Sequence, residues 1–196
     1  SDSIYVYTTL LWIAAYFYPK PEDLIFIVAI AYASQLAYKK TLNIHMFLPL
    51  LYPTASFLFL LSLYSEYGSM TLLWLLVIVA STDIGAYFVG KSIGKTKFCE
   101  TSPNKTTEGV VGGVVFAVIL GTLFSTNGIS FVNALIISAV VSISSVFGDL
   151  FESYLKREAD VKDSGTILPG HGGILDRTDG YLFGAIVMLV LLRVVI

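Results

Sequence analysis

Residues 153–179 read S-Y-L-K-R-E-A-D-V-K-D-S-G-T-I-L-P-G-H-G-G-I-L-D-R-T-D. The cations Lys156, Arg157, Lys162 and Arg177 stand here beside the carboxylates of Asp163, Asp176 and Asp179, around a Pro-Gly-His-Gly-Gly turn. The surrounding chain is mostly hydrocarbon. Carboxylate oxygens are hard ligands that hold magnesium, while Lys and Arg neutralise phosphate oxygens. The adjacent Gly172 and Gly173 let backbone N–H groups approach an anion closely. Together these groups suit a Mg²⁺–triphosphate substrate.

Working outward, the chain is 56% hydrophobic and 13% charged, with a mean hydropathy of +0.79, which is too apolar for an ordinary soluble domain. Apolar runs recur at lengths near the roughly 20 residues a helix needs to cross a bilayer. Seven are read: 4–18, 23–38, 45–64, 70–90, 109–125, 130–152 and 181–196. The first two are short enough to be tilted, interfacial or re-entrant instead. The expected fold is an all-α integral membrane protein of about seven transmembrane helices, with a polar cleft opening to the cytosolic side. It forms a single membrane domain over 1–196, with N-terminal hydrophobic helices over 1–69 and catalytic helices and cytosolic loops over 70–196.

Charge distribution sets the orientation. With the N-terminus inside and the helices alternating, inside loops hold Lys39 and Lys40; Lys91, Lys95, Lys97 and Lys105; and Lys156, Arg157, Lys162 and Arg177. Only Lys20 and Arg193 fall outside, so 10 of the 12 basic residues face the cytosolic side, as the positive-inside tendency requires. The lone Cys99 excludes an intramolecular disulfide. Segment 4–18 has no basic region before it, so a cleavable leader is not expected, and the initial Ser1 suggests a trimmed start. Tyrosines 5, 7, 16, 18, 64 and 67 read as an interfacial aromatic belt, and His45 as an interfacial residue.

Ionisable residues inside the apolar runs are few: Asp83, Asp149 and Glu152. A charge there is costly unless it faces a partner, a metal or a wet cavity. Asp83 lies about seven residues from the inner end of its helix, so about 10 Å deep at roughly 1.5 Å per residue. Asp149, Glu152, Ser153 and Lys156 follow one helical face at i, i+3, i+4 and i+7. Two further blocks accompany them. Thr82-Asp83-x2-Ala86-Tyr87-x2-Gly90-Lys91-x2-Gly94-Lys95 reads either as cation and nucleotide contacts at a helix exit or as small-residue packing around a structural Asp. Ser102-Pro103-Asn104-Lys105-Thr106-Thr107-Glu108-Gly109-x2-Gly112-Gly113 leads into a helix N-terminus, where free N–H groups, Lys105 and the Thr106 hydroxyl suit an anion. Gly109 and Gly113 equally suit a close-packed helix pair.

The opening stretch resembles the signature of the phosphatidate cytidylyltransferase (CDP-diacylglycerol synthase) family, S-x-L-K-R-x4-K-D-x-G-x2-L-P-x-H-G-G-x2-D-R-x-D, at each fixed position. The second block resembles that family's S-P-x-K-T-x-E-G, with Asn104 where relatives often carry a cation and Thr107 where they carry an aromatic. The resemblance covers about residues 80–180. It implies condensation of CTP with phosphatidic acid to CDP-diacylglycerol and pyrophosphate, in phospholipid biosynthesis. It also implies a Mg²⁺ centre on Asp149, Asp176 and Asp179, with a second cation that the family allows to be monovalent. A homodimer, a bilayer environment without nucleic-acid polymers, the bacterial inner membrane and a site facing the cytosol complete the expectation.

On this reading the catalytic set is Asp149, Asp176, Asp179, Lys156, Arg157 and His171. Substrate binding falls to Asp83, Lys105, Thr106, Glu108, Lys162, Asp163, Gly172, Gly173 and Arg177. Asp163 either ligates metal or pins Lys162 or Arg177 in a salt bridge, the latter being favoured. His171 serves the pyrophosphate or shapes the loop. A phosphate nucleophile is already anionic near neutral pH, so no protein nucleophile or strong base is required; the barrier is charge repulsion and alignment. A CDP-archaeol synthase or a CTP-dependent polyprenol kinase is the nearest alternative, and an ion-coupled transporter a remote one.

Overall fold

A computed structural model describes residues 3–41, 43–126, 128–167, 169 and 172–195. Those residues form helices joined by turns, and they cluster into two compact units, 1–66 and 67–196. The first unit holds α1 (Ser3–Phe17), α2 (Leu24–Tyr38) and α3 (Ser56–Tyr67), whose last residue already lies in the second. The second holds α4 (Ser69–Ile93), α5 (Thr107–Leu123), α6 (Phe131–Glu158) and α7 (Leu175–Val195).

Each apolar run has its helix. Four segments are long and apolar enough to span a membrane: His45–Tyr67, Ser69–Ile93, Phe131–Glu158 and Leu175–Val195. Ser3–Phe17 and Thr107–Leu123 are shorter apolar helices. The run read as one helix over 45–64 is broken into a tight turn at Ile44–Phe47 and a widened turn at Leu50–Ala55 before α3 begins. Proline is the reason. Pro49 and Pro53 bring no N–H to the helical ladder, and Tyr52, just before Pro53, takes extended angles (φ −142°, ψ 121°). The Thr54 hydroxyl donates to the freed Pro49 carbonyl at 2.7 Å. Also in this unit, the Glu22 carboxylate is buried and accepts a hydrogen bond from Ser62.

In the second unit α4 packs most extensively on α5, and α6 on α7. The α4–α5 contact is backbone on backbone. A Cβ added at Gly113 would meet the Ala86 side chain at 3.0 Å and its amide nitrogen at 3.1 Å, and one added at Gly109 would meet the Ala86 carbonyl at 2.8 Å. The small-residue packing open in the sequence is therefore realised, and it draws the α4 exit against the α5 entrance. Farther along, Trp74 Nε1 donates to the Gly121 carbonyl at 2.6 Å. A hydroxyl pair, Thr82 and Ser142 at 2.7 Å, joins α4 to α6. We expect Gly113→Val to force α4 and α5 apart at a cost of about 1–3 kcal/mol. A fall of several degrees in the unfolding temperature in detergent would register it, and an unchanged melt would show that the contact yields freely.

Two helices outrun their apolar segments. α6 continues to Glu158, beyond the expected end at 152, and α7 begins at Leu175 rather than 181. Hydropathy measures the stretch that suits lipid, whereas a helix persists wherever its backbone bonds close. The charged turns fit the helix ends: Lys156 and Arg157 stand in the last turn of α6 and Asp176 in the first turn of α7, each matched to the local dipole.

Candidate active site

The site is built where α4 ends, α5 begins, α6 ends and α7 begins. From α6, Asp149, Glu152, Ser153 and Lys156 share one face, as their spacing demands. From α7, Asp176 and Asp179 at i and i+3 look the same way. Gly148 allows the approach, since a Cβ there would meet the Asp179 carbonyl at 2.6 Å.

Asp176 is the most heavily used carboxylate. Oδ1 pairs with Lys156 Nζ at 2.8 Å. Oδ2 accepts from the Ser164 N–H at 2.8 Å, the Ser164 hydroxyl at 2.9 Å and the Gly173 N–H at 2.7 Å. One side chain thus ties Ser164 and Gly173 to the α7 N-terminus. Gly172 takes φ +85°, an angle that L side chains rarely adopt. Lys156 also reaches Glu152 Oε2 at 3.2 Å, so it bridges α6 to α7.

Glu152 is buried, with its side chain only 3% exposed. Its carboxyl group lies within hydrogen-bonding reach of the Asp179 carboxyl group on α7. Asp179 accepts the Gly180 N–H at 2.8 Å. Asp149 forms an ion pair with Lys105 from the loop before α5 and hydrogen-bonds Ser153 at 3.3 Å. Asp83, Asp149 and Asp179 lie close enough to repel one another. Carboxylate oxygens therefore outnumber the cations among them. Among the described residues no group of three or more His, Cys, Asp or Glu side chains converges at metal-holding distance.

Asp83 faces a cavity of about 490 Å³, which Thr82, Tyr87, Lys91, Asn104, Lys105 and Thr106 help to line. Lys91 Nζ sits 5.6 Å from the centre of the Tyr87 ring. The start of α5 is less open to a ligand than its sequence suggests. The Gly109 N–H donates to the Thr106 side-chain oxygen at 3.1 Å, and the Thr107 N–H donates to the Thr96 carbonyl at 3.0 Å. Thr106 is thus first an N-cap. The Glu108 carboxylate accepts from the Lys95 and Thr96 N–H groups and from the Thr96 hydroxyl. Glu108 precedes the apolar run of its helix. Its own backbone N–H, then Lys95 and Thr96, lower its pKa to about 2.

The remaining sequence-selected residues are placed as follows. Arg157, Lys162, Asp163 and Arg177 are exposed along the 156–177 segment. Asp163 forms no ion pair among the described residues, so the favoured salt bridge is not made here. Gly172 and Gly173 are folded against Asp176 and Ser164 respectively. His171 lies outside the described residues. Sequence reasoning left Glu152, Ser164 and Thr96 out of the site. Glu152 was recoverable from its position four residues before Lys156, whereas nothing local signals the contacts of Ser164 or Thr96.

A helical membrane scaffold that gathers carboxylates and lysines at one end, beside a cavity that Asp83 and Lys105 help to line, defines a class of intramembrane transferase sites. The chain belongs to the cytidylyltransferase family, whose sequence pattern matches residues 3–195. A relative named phosphatidate cytidylyltransferase from Helicobacter pylori (strain J99) is 48% identical over 194 residues, covering 98% of this chain and 73% of the relative. Proteins of the same name from Bacillus subtilis and Thermotoga maritima are 52% identical over 122 residues and 41% over 154. Those alignments cover 60% and 74% of this chain, and 45% and 57% of the respective relatives.

Proposed function

We propose that this chain condenses CTP with phosphatidic acid, forming CDP-diacylglycerol and pyrophosphate at the cytosolic face of a bacterial inner membrane. A phosphate oxygen of the lipid attacks the α-phosphorus of CTP. The bond from that phosphorus to the bridging oxygen breaks, and pyrophosphate leaves with the electron pair. The observation that carries the reading is the convergence of Asp83, Asp149, Glu152 and Asp179 with Lys105 and Lys156 at one helix-bundle end. Membership of a cytidylyltransferase family and the names of the relatives support the substrates.

Magnesium suits this donor set. Asp149 and Asp179 supply hard oxygens within reach of each other's charge, and with Asp83 they form a surplus of carboxylates over cations. Asp149 and Asp179 would hold the ion, and a second cation would be accommodated by the same surplus. When bound, such ions screen the repulsion between two phosphates and align attack. Asp176 stands apart, because both of its oxygens already accept from Lys156, Ser164 and Gly173. Its part here is to hold Lys156 and the loop. Lys105, on the cavity wall, is placed to exchange its carboxylate partner for a substrate phosphate.

Solubilised protein given labelled CTP, phosphatidate and Mg²⁺ should yield CDP-diacylglycerol and pyrophosphate. Release of CDP with phosphorylation of an added polyprenol would instead establish the kinase. Orientation has its own test. Cys99 and a cysteine replacing Lys162 should react with an impermeant thiol reagent only from the cytosolic side, and a cysteine replacing Ser65 only from the other. Labelling of all three from one face would overturn the proposed alternation of spans.

A further inference from the structure

We infer that Glu108 is a positioning residue: its carboxylate clasps the strand of chain leaving α4 and thereby sets Lys105 opposite Asp149. The segment between α4 and α5 folds back on itself as a short hairpin, closed by Phe98 N–H to Lys105 carbonyl at 2.9 Å and Thr107 N–H to Thr96 carbonyl at 3.0 Å. Glu108 stands at the open end of that hairpin. It receives the Lys95 and Thr96 N–H groups, each at 3.2 Å, and the Thr96 hydroxyl at 2.9 Å. Both of its oxygens are therefore turned toward the incoming arm of the hairpin. Lys105, on the outgoing arm, is the residue that reaches Asp149.

The physical need is clear from what else holds the hairpin. Two backbone bonds between short arms are a weak closure, since isolated two-stranded pairings are marginal in water. A charged acceptor taking three donors is roughly twice as strong per bond as a neutral one. A glutamate carboxyl is already ionised at neutral pH, and the donors around Glu108 hold its pKa lower still, at about 2. Without it, Lys105 would hang from a segment free to swing off the α5 entrance. This assignment rests on the cytidylyltransferase reading for its kinetic consequences, while its structural consequence needs no substrate.

The test uses the full chain in detergent, with the native Cys99 as reporter. Cys99 is half-buried within the same hairpin and is the protein's only cysteine. Glu108→Ala should speed its modification by a soluble maleimide and lower kcat/KM about ten-fold, the scale of losing hydrogen bonds to a charged group. Glu108→Gln, which keeps one acceptor oxygen, should restore part of both. Combined with Lys105→Ala, the Glu108→Ala loss should vanish, because a residue acting through Lys105 has nothing left to position. Unchanged Cys99 reactivity with fully additive kinetic losses would overturn the inference and make Glu108 a direct substrate contact. Should Glu108→Ala fail to fold, Glu108→Gln and Thr96→Val put the same question with smaller perturbations. The labelling arm distinguishes failure of the clasp from failure of the functional reading.

Discussion

Asp149→Asn and Asp179→Asn should each remove at least 99% of turnover while leaving expression, insertion and thermal unfolding near the parent. Loss of a group that merely supports a metal ligand typically costs about 10–100-fold, so loss of a ligand itself should exceed that. Asparagine fills the same space and opens no cavity. Asp176→Asn should also be severe, with a different signature. An amide offers one acceptor oxygen where the carboxylate serves Lys156 on one oxygen and three donors on the other. The 159–174 segment should loosen and become protease-sensitive, while the Mg²⁺ concentration giving half-maximal residual activity stays put. A Mg²⁺ midpoint displaced in Asp176→Asn as far as in Asp149→Asn would return Asp176 to the metal. Near-parental rates in both Asp149→Asn and Asp179→Asn at saturating Mg²⁺ would sink the proposed centre.

The second large effect concerns the cations. Lys105→Ala and Arg157→Ala should each lower kcat/KM about 10- to 100-fold, the value of roughly 1.5–3 kcal/mol for a hydrogen bond to a charged group. Neither should raise the Mg²⁺ requirement. Lys105→Ala in particular leaves Asp149 without its ion-pair partner, which favours a cation there. Each substitution should act mainly on one substrate, and separate titrations of CTP and phosphatidate identify which. Arg157→Lys should recover only part of the loss, because an ammonium keeps the charge but lacks the planar two-pronged donor face. If both alanine variants titrate like the parent, these cations serve the anionic membrane surface and not the nucleotide.

The order of the helices and several of the charged residues gathered at the bundle end could be read along the chain. Periodicity alone placed Asp149, Glu152 and Lys156 on one face, because side chains three, four and seven apart on a helix must share a side. The long charged signature marked Asp176 and Asp179 without reference to any fold. Hydropathy erred where chemistry and helicity part company. It stopped α6 and α7 at their charged turns, although the dipoles at those helix ends favour the charges found there. It also passed through Pro49 and Pro53 without registering the break they impose.

Pairing between distant segments was the part that only the tertiary structure decided. Sequence fixes which residues carry charge, but an ion pair depends on which helix ends meet, and that follows from packing. Gly109 and Gly113 let α5 touch α4, which brings the Lys105 hairpin to the α6 carboxylates. Gly148 lets α7 touch α6, which places Asp179 beside Glu152. The sequence marked Glu108, Thr106 and Asp176 as ligands of substrate or metal; folded, their oxygens first satisfy backbone N–H groups of the chain itself. The reason is that a loop beside a helix end must find partners for its own donors, and the nearest strong acceptors are these side chains.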